Sequence, residues 1–118
     1  MQRTLLKSKI HRATVTGSDL NYEGSIALDP ILYQAAGLIE YEKVDIYNVN
    51  NGNRFSTYII SGKPGEVSLN GAAARLVQTG DKIIIACYST YAEEEIINHH
   101  PTVLIMGDDN SIKEIIKK

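Results

Sequence analysis

The sequence has no tryptophan, one phenylalanine, one cysteine and three prolines in 118 residues. Each shortage removes a class of answer. The lone cysteine, Cys87, excludes an intrachain disulfide and points to a reducing compartment. With so little Phe and no Trp, a stacking platform for single-stranded nucleic acid is not expected. Nor is there an excess of one charge: 12 Lys and Arg stand against 14 Asp and Glu, a formal net charge of -2, with the cations spread along the chain. That argues against a nucleic-acid binder relying on a strongly basic face. The longest apolar run, Ile83 to Cys87, is far too short to span a bilayer. Lys7 and Lys9 stand where a signal peptide would carry its apolar centre. The expectation is a cytoplasmic protein with neither a membrane nor a nucleic-acid partner. Linkers, repeats and low-complexity tracts are absent, so the length fits a single domain, 1–118, with a core that needs no staples. Gly62 to Gly65 contains Gly-Lys but not the Walker A pattern. His99 and His100 lack zinc-type spacing and read as surface residues.

What is present is a succession of short strands. Leu5 to Thr16 alternates, with Leu6, Ser8, Ile10, Arg12 and Thr14 on one face and Lys7, Lys9, His11, Ala13 and Val15 on the other. The second face is either a solvated surface or a cationic wall of Lys9 and His11 facing an anion or a neighbouring subunit. Ile26 to Leu28 is a short strand. Asp29 then caps a helix that has Pro30 at its first position and Gly37 as its stop. Lys43 to Asn50 and Arg54 to Ile60 form a hairpin around Asn51-Gly52, a dipeptide that favours a type I′ turn. On the returning strand Arg54, Ser56 and Tyr58 share one face, and Phe55, Thr57 and Ile59 the other. A guanidinium and a phenol on one face suit carboxylate binding and proton delivery; they equally suit the exposed side of a half-buried hairpin.

After a short strand at Val67 to Leu69, Asn70 is placed to cap a small helix running to Val77. Gly71, Ala72 and Ala73 would leave its first N–H groups open to an anion, or else let two elements pack closely. Lys82 to Ser89 is strongly apolar and central, with Cys87 a small buried hydrophobe rather than a nucleophile. Glu93 to Glu95 begins an acidic helical segment, and Thr102 to Met106 is a further strand. Asp108-Asp109-Asn110 is a turn, and Ile112 to Lys118 a peripheral amphipathic element. The sum is a compact β-barrel with short helical insertions.

The stretch that bears chemistry is Tyr22-Glu23-Gly24-Ser25. It sets a hydroxyl directly after a glycine. Gly24 has backbone freedom and an unshielded carbonyl, and Ser25 is one residue from it. Held under strain, such a serine can attack its own preceding peptide bond.

Six stretches, in order, match one family: Ser8-Lys9-Ile10-His11-Arg12, Asn21-Tyr22-Glu23-Gly24-Ser25, Asn48-Val49-Asn50-Asn51-Gly52, Arg54-Phe55-Ser56-Thr57-Tyr58, Asn70-Gly71-Ala72-Ala73-Ala74 and Gly80-Asp81. On these residues the chain resembles the pyruvoyl-dependent aspartate alpha-decarboxylases, over nearly its whole length and fading after about Glu95. The resemblance implies a mainly β fold, the double-psi β-barrel, and a homotetramer with active sites at subunit interfaces. It implies a lyase that converts L-aspartate to beta-alanine and carbon dioxide for pantothenate and coenzyme A biosynthesis. It also implies a proenzyme. Ser25 attacks the Gly24 carbonyl, and the ester eliminates to dehydroalanine. Hydrolysis then releases ammonia and leaves a pyruvoyl group, the Schiff-base partner of the substrate amine. The products are a β chain, 1–24, and an α chain, 25–118.

By the same resemblance Tyr58 donates the proton, and Thr57 serves both self-cleavage and substrate binding. Arg54 and Lys9 hold carboxylate, and Gly71, Ala72 and Ala73 supply backbone donors. Asn70, Tyr22 and His11 support the site. No metal and no pyridoxal phosphate are implied, and a maturation factor assists some members. Tyr47 stands where some members carry tryptophan. The competing expectation is a non-catalytic barrel used for binding or assembly.

Overall fold

The computed structural model describes residues 1–118. Apolar residues at alternate positions turn one face of each long strand into a shared interior. In β4 (Lys43–Asn48), Val44, Ile46 and Asn48 are buried, whereas Lys43, Asp45 and Tyr47 are not. The other strands are β1 (Gln2–Thr14), β2 (Gly17–Asp19), β3 (Ser25–Leu28), β5 (Arg54–Ser61), β6 (Val67–Asn70), β7 (Lys82–Ala92), β8 (Thr102–Met106) and β9 (Ile112–Lys117). Helices α1 (Pro30–Ala35) and α2 (Glu93–Ile96) and a 3-10 segment at Gly71–Leu76 complete the chain. The strands join in the order β2-β6-β3-β5-β4-β7-β1-β8-β9. This is the expected mainly β architecture with short helical insertions.

The sheet does not close as one continuous ladder. It curls, and the chain leaving β1 returns to its far side: Thr16 N donates to the Val67 carbonyl at 2.8 Å, and Val67 N donates to Thr16 Oγ1 at 2.9 Å. Within the curl, 20 buried residues make one cluster, among them Ile10, Ile26, Leu28, Ile46, Ile59, Leu69, Ile85 and Leu104. The arrangement is consistent with a double-psi β-barrel. No helix is long and apolar enough to cross a membrane.

Several local expectations change. Strand β1 slips register between Leu6 and Ser8 and again between His11 and Ala13. Arg12 takes φ 68 at the second slip. The slip reverses the alternation, so Ala13 and Val15 join Ile10 in the core instead of lying with Lys9 and His11. The hairpin after β4 is not a two-residue type I′ turn. Only Gly52 has positive φ there, 77, and Asn48 N donates to the Asn53 carbonyl at 2.9 Å, closing a four-residue loop. Asp29 does cap α1, accepting from Ile31 N at 2.9 Å. His99 is not simply a surface residue: its Nε2 donates to the Leu6 carbonyl at 2.7 Å, and its ring lies 4.4 Å from that of Tyr91. Asn110 is more than a turn residue. Buried, it donates to the Thr14 carbonyl at 2.9 Å and the Gly65 carbonyl at 3.2 Å, and so locks the tail to the barrel. Strand β8 then runs parallel to β1, and β9 covers its outer edge.

A turn at 39–42 joins α1 to β4, and Glu42 is its anchor. Lys7 Nζ donates to Glu42 Oε2 at 2.8 Å, and Ile39 N donates to Glu42 Oε1 at 3.1 Å. Cys87 Sγ approaches Oε2 at 3.4 Å. Burial opposes the Glu42 charge, but the hydrogen bonds from Lys7, Ile39 and Cys87 outweigh it and hold its pKa below the ordinary 4.5. Burial, and then the Glu42 carboxylate, push the Cys87 thiol up to about 11, which suits an inert core thiol. A depressed carboxyl pKa stabilises the fold above the unfolded value, and that contribution is lost as pH falls through the folded value. The urea midpoint should therefore drop between about pH 5 and about pH 3, and the drop should be shallower in Glu42→Gln. Identical acid limbs in the two proteins would contradict the assignment.

Candidate active site

Strand β3 carries Ser25 into the sheet between two partners. On one side it pairs antiparallel with β6, Ser25 opposite Asn70. On the other it runs parallel to β5, with Ile26 opposite Ile59. The ladder to β5 begins at Ile26, and Ser25 and Tyr58, the residues just before that pair, line one cleft. The Gly24–Ser25 bond thus has Asn70 and Gly71 on one side and shares a cleft with Tyr58, three of the residues singled out in the sequence.

Ser25 is 0% exposed. Its Oγ donates to the Glu23 carbonyl at 3.0 Å and accepts from Asn70 Nδ2 at 3.3 Å. The hydroxyl is therefore folded back along the chain, onto the peptide one before the Gly24–Ser25 bond. Asn70 does not use its side chain to cap the 3-10 segment, as the sequence had suggested; the amide goes to Ser25 instead. The segment is also a 3-10 turn ending at Leu76, not a longer α-helix.

The steric demand falls on a different glycine from the one expected. Gly24 has no positive φ, and a Cβ added there would meet nothing within 4 Å. Gly71 has φ +69, and a Cβ on it would lie 2.7 Å from Gly24 Cα and 2.8 Å from Gly24 N. Only a glycine at 71 lets the two backbones meet. The contact fixes the residue whose carbonyl Ser25 would attack. Ala72 is exposed and Ala73 half-buried against the core.

Ser25 and Tyr58 open onto one cleft of about 310 Å³, also walled by Tyr22, Glu40 and Tyr41. A larger groove of about 540 Å³ adjoins it at Tyr22, Ile60 and Ser61, but does not contain Ser25. Thr57 is half-buried opposite Val44. It faces inward where Tyr58 and Arg54 face outward, as alternation required.

The basic residues lie elsewhere in this chain. Arg54 is four residues from Tyr58 on β5, roughly 13 Å along the strand. Its guanidinium sits 3.9 Å over the Tyr47 ring, and the Tyr47 and Tyr88 hydroxyls are 2.9 Å apart. Lys9 and His11 are further across the same sheet face, His11 in one row with Ile84, Tyr47 and Arg54. Burial, then the charges of Lys9 and Arg12, hold the His11 pKa below 6.5. Arg54, Lys9 and His11 therefore form a second polar group, separate from the Ser25 cleft. No cluster of three or more His, Cys, Asp or Glu side chains is arranged to hold a metal ion.

Sequence reasoning missed Glu40 and Tyr41. They lie in an irregular turn, where periodicity carries no signal, and Tyr41 has φ 73, a conformation that a tyrosine does not announce. The glycine contact gives a direct check. Gly71→Ala should lose about 2–4 kcal/mol in urea unfolding from combined clash and backbone strain. Gly24→Ala should stay within about 1 kcal/mol of the parent. The reverse order would contradict the geometry.

Comparison with known proteins gives the family. A family model described as aspartate decarboxylase matches residues 1–113. The aspartate 1-decarboxylase of Hydrogenobaculum sp. is 60% identical over 115 residues, covering 98% of this chain and 92% of that protein. That of Ralstonia nicotianae is 58% identical over 117 residues, covering 98% of each. That of Clostridium beijerinckii is 57% identical over 114 residues, covering 95% of this chain and 92% of that protein. The chain belongs to the aspartate decarboxylase family.

Proposed function

We propose that the chain decarboxylates L-aspartate to beta-alanine and carbon dioxide, at a site it makes by cutting itself between Gly24 and Ser25. The reaction follows from family membership and supplies pantothenate synthesis. The self-processing rests on one observation: a wholly buried Ser25 hydroxyl contacts its own backbone and Asn70, and no general base. The electrophile nearest such a nucleophile is the adjoining Gly24 carbonyl.

The processing step balances with one solvent water. Ser25 Oγ bonds to the Gly24 carbonyl carbon, the Ser25 nitrogen leaves, and the hydroxyl proton passes to that nitrogen. Elimination then removes the Ser25 α-proton, breaks the Cβ–O bond and expels the Gly24 carboxylate, leaving dehydroalanine; one solvent water hydrolyses this, releasing ammonia. Thr57 steadies the carbonyl as charge develops on it, a role that rests on the family resemblance alone. Gly71 keeps the Gly24 backbone from shifting. The product chains are 1–24 and 25–118, parts of a single domain.

The residues present fit a pyruvoyl group at position 25. The position is buried, has an amide donor at 3.3 Å, and lines the cleft that Tyr58 shares. That group supplies a ketone which takes up the substrate amine and accepts the electrons left by departing carbon dioxide. Tyr58, on the same cleft, returns the proton to carbon. Tyr22 walls the cleft, and Asn70 with the Gly71, Ala72 and Ala73 backbone provides donors.

Arg54 and Lys9 bind carboxylate, but not beside the Ser25 of their own chain. The strand distance to Tyr58 exceeds the reach of a four-carbon acid. They act, with His11 nearby, on the site of a neighbouring copy, which supports a homotetramer with interface active sites. The enzyme works in the cytoplasm. With no base on Ser25 Oγ, processing is open to help from a maturation factor.

Ser25→Ala should remain one chain and release no carbon dioxide from aspartate. Tyr58→Phe should still cleave itself while losing kcat by roughly 100-fold or more. Normal turnover in Tyr58→Phe would remove the phenol from proton donation.

A further inference from the structure

Tyr41 is a bulky residue in the left-handed region, at φ 73, and it is 71% exposed. That conformation is rare and strained for such a side chain. An exposed ring offers little burial in return. The other two non-glycine residues with positive φ have local reasons: Arg12 sits at a strand slip, and Asn110, a type that tolerates this region, is buried and hydrogen-bonded. Tyr41 sits at no strand slip and its side chain is neither buried nor hydrogen-bonded; only its backbone is held. What it does have is a place in the cleft wall with Ser25, Tyr58 and Tyr22.

The strained turn is tied down on every side. Tyr41 N donates to the Ile59 carbonyl at 2.7 Å, and Ile59 N donates to the Glu42 carbonyl at 3.1 Å. These bonds join the turn to the residue after Tyr58. Ser61 N donates to Glu40 Oε2 at 3.2 Å. The Glu42 carboxylate takes the Ile39 amide on one oxygen and the Lys7 ammonium on the other. Lys7 is the residue skipped where β1 slips register. A bulge in one strand, an ion pair and a left-handed tyrosine thus lead in sequence to one wall of the cleft.

We propose that Tyr41 sets the length of substrate the Ser25 cleft accepts, closing it over a four-carbon amino diacid, and that Glu42, held by Lys7, is the positioning residue for Tyr41. The proposal rests on the reading of Ser25 and Tyr58 as the reacting pair. Its ligand class is the small α-amino dicarboxylate, and its discrimination is against one additional methylene.

The test uses the processed, assembled protein. Tyr41→Asn suits the left-handed backbone. It should raise the melting temperature by about 2–5 °C while raising the KM for aspartate about ten-fold. Its kcat should change less than about three-fold, and its preference for aspartate over glutamate should fall about ten-fold. Lys7→Met should shift KM in the same direction, and Lys7→Arg should restore it. Because the sequence has no tryptophan, Tyr41→Trp places a single indole in the wall. Succinate, which has no amine, should shift its emission saturably, and glutarate should bind about ten-fold more weakly. Unchanged KM and preference in Tyr41→Asn, with indole emission indifferent to succinate, would overturn the proposal. If the protein proved uncut and inactive while the indole still answered succinate, the Ser25 chemistry would fail and the wall assignment would stand.

Discussion

The site depends on a missing methyl group. Gly71 and Gly24 meet backbone to backbone, and a Cβ at 71 would come within 2.8 Å of two Gly24 atoms. That contact, with the Asn70 amide on Ser25 Oγ, fixes the one peptide bond on which the chemistry turns. The barrel serves it from below. Ile26 and Leu28 are wholly buried, so β3 cannot slide or rotate without breaking the core. A one-residue slip would turn Ser25 inward and Ile26 outward. Packing energy spread over the core thereby positions a single hydroxyl.

Functional groups fall into two sets on the outer face of the same sheet. Ser25, Tyr58, Tyr22 and Tyr41 surround a cleft that carries little positive charge. Arg54 lies further along β5 from Tyr58 and stacks on Tyr47, and Lys9 and His11 sit beyond it on β1. A doubly charged acid would need both sets, and one chain does not bring them together. On the proposed reading, assembly belongs to the chemistry.

Much of this was legible in the sequence, and the parts that were not share a physical cause. Alternation in Lys43–Asn48 and Arg54–Ser61 showed which residues face outward, including Arg54 and Tyr58. The Asp29-Pro30 start of α1 was legible because capping is local. The slip at Arg12 was not, since nothing in a run of mixed residues marks where a strand changes face. Asn70 looked like a cap, and only the tertiary pairing with Ser25 reassigned its amide. Gly24 drew notice because it precedes the serine, yet the crowding that requires a glycine arises at Gly71, 47 residues later, from a contact that no local pattern encodes. The residues carrying the family resemblance include Asn70 and Gly71 but give no reason for them; the contact distance does.

The central claim is that a buried serine severs the chain beside it to create the reactive carbonyl. Intact mass measurement of freshly assembled protein, followed over time with any host maturation partner supplied, addresses it most directly. The account predicts conversion into fragments 1–24 and 25–118, the larger one blocked to Edman degradation, with carbon dioxide release from aspartate rising in step. A chain that stays whole under those conditions, yet decarboxylates aspartate, would contradict it.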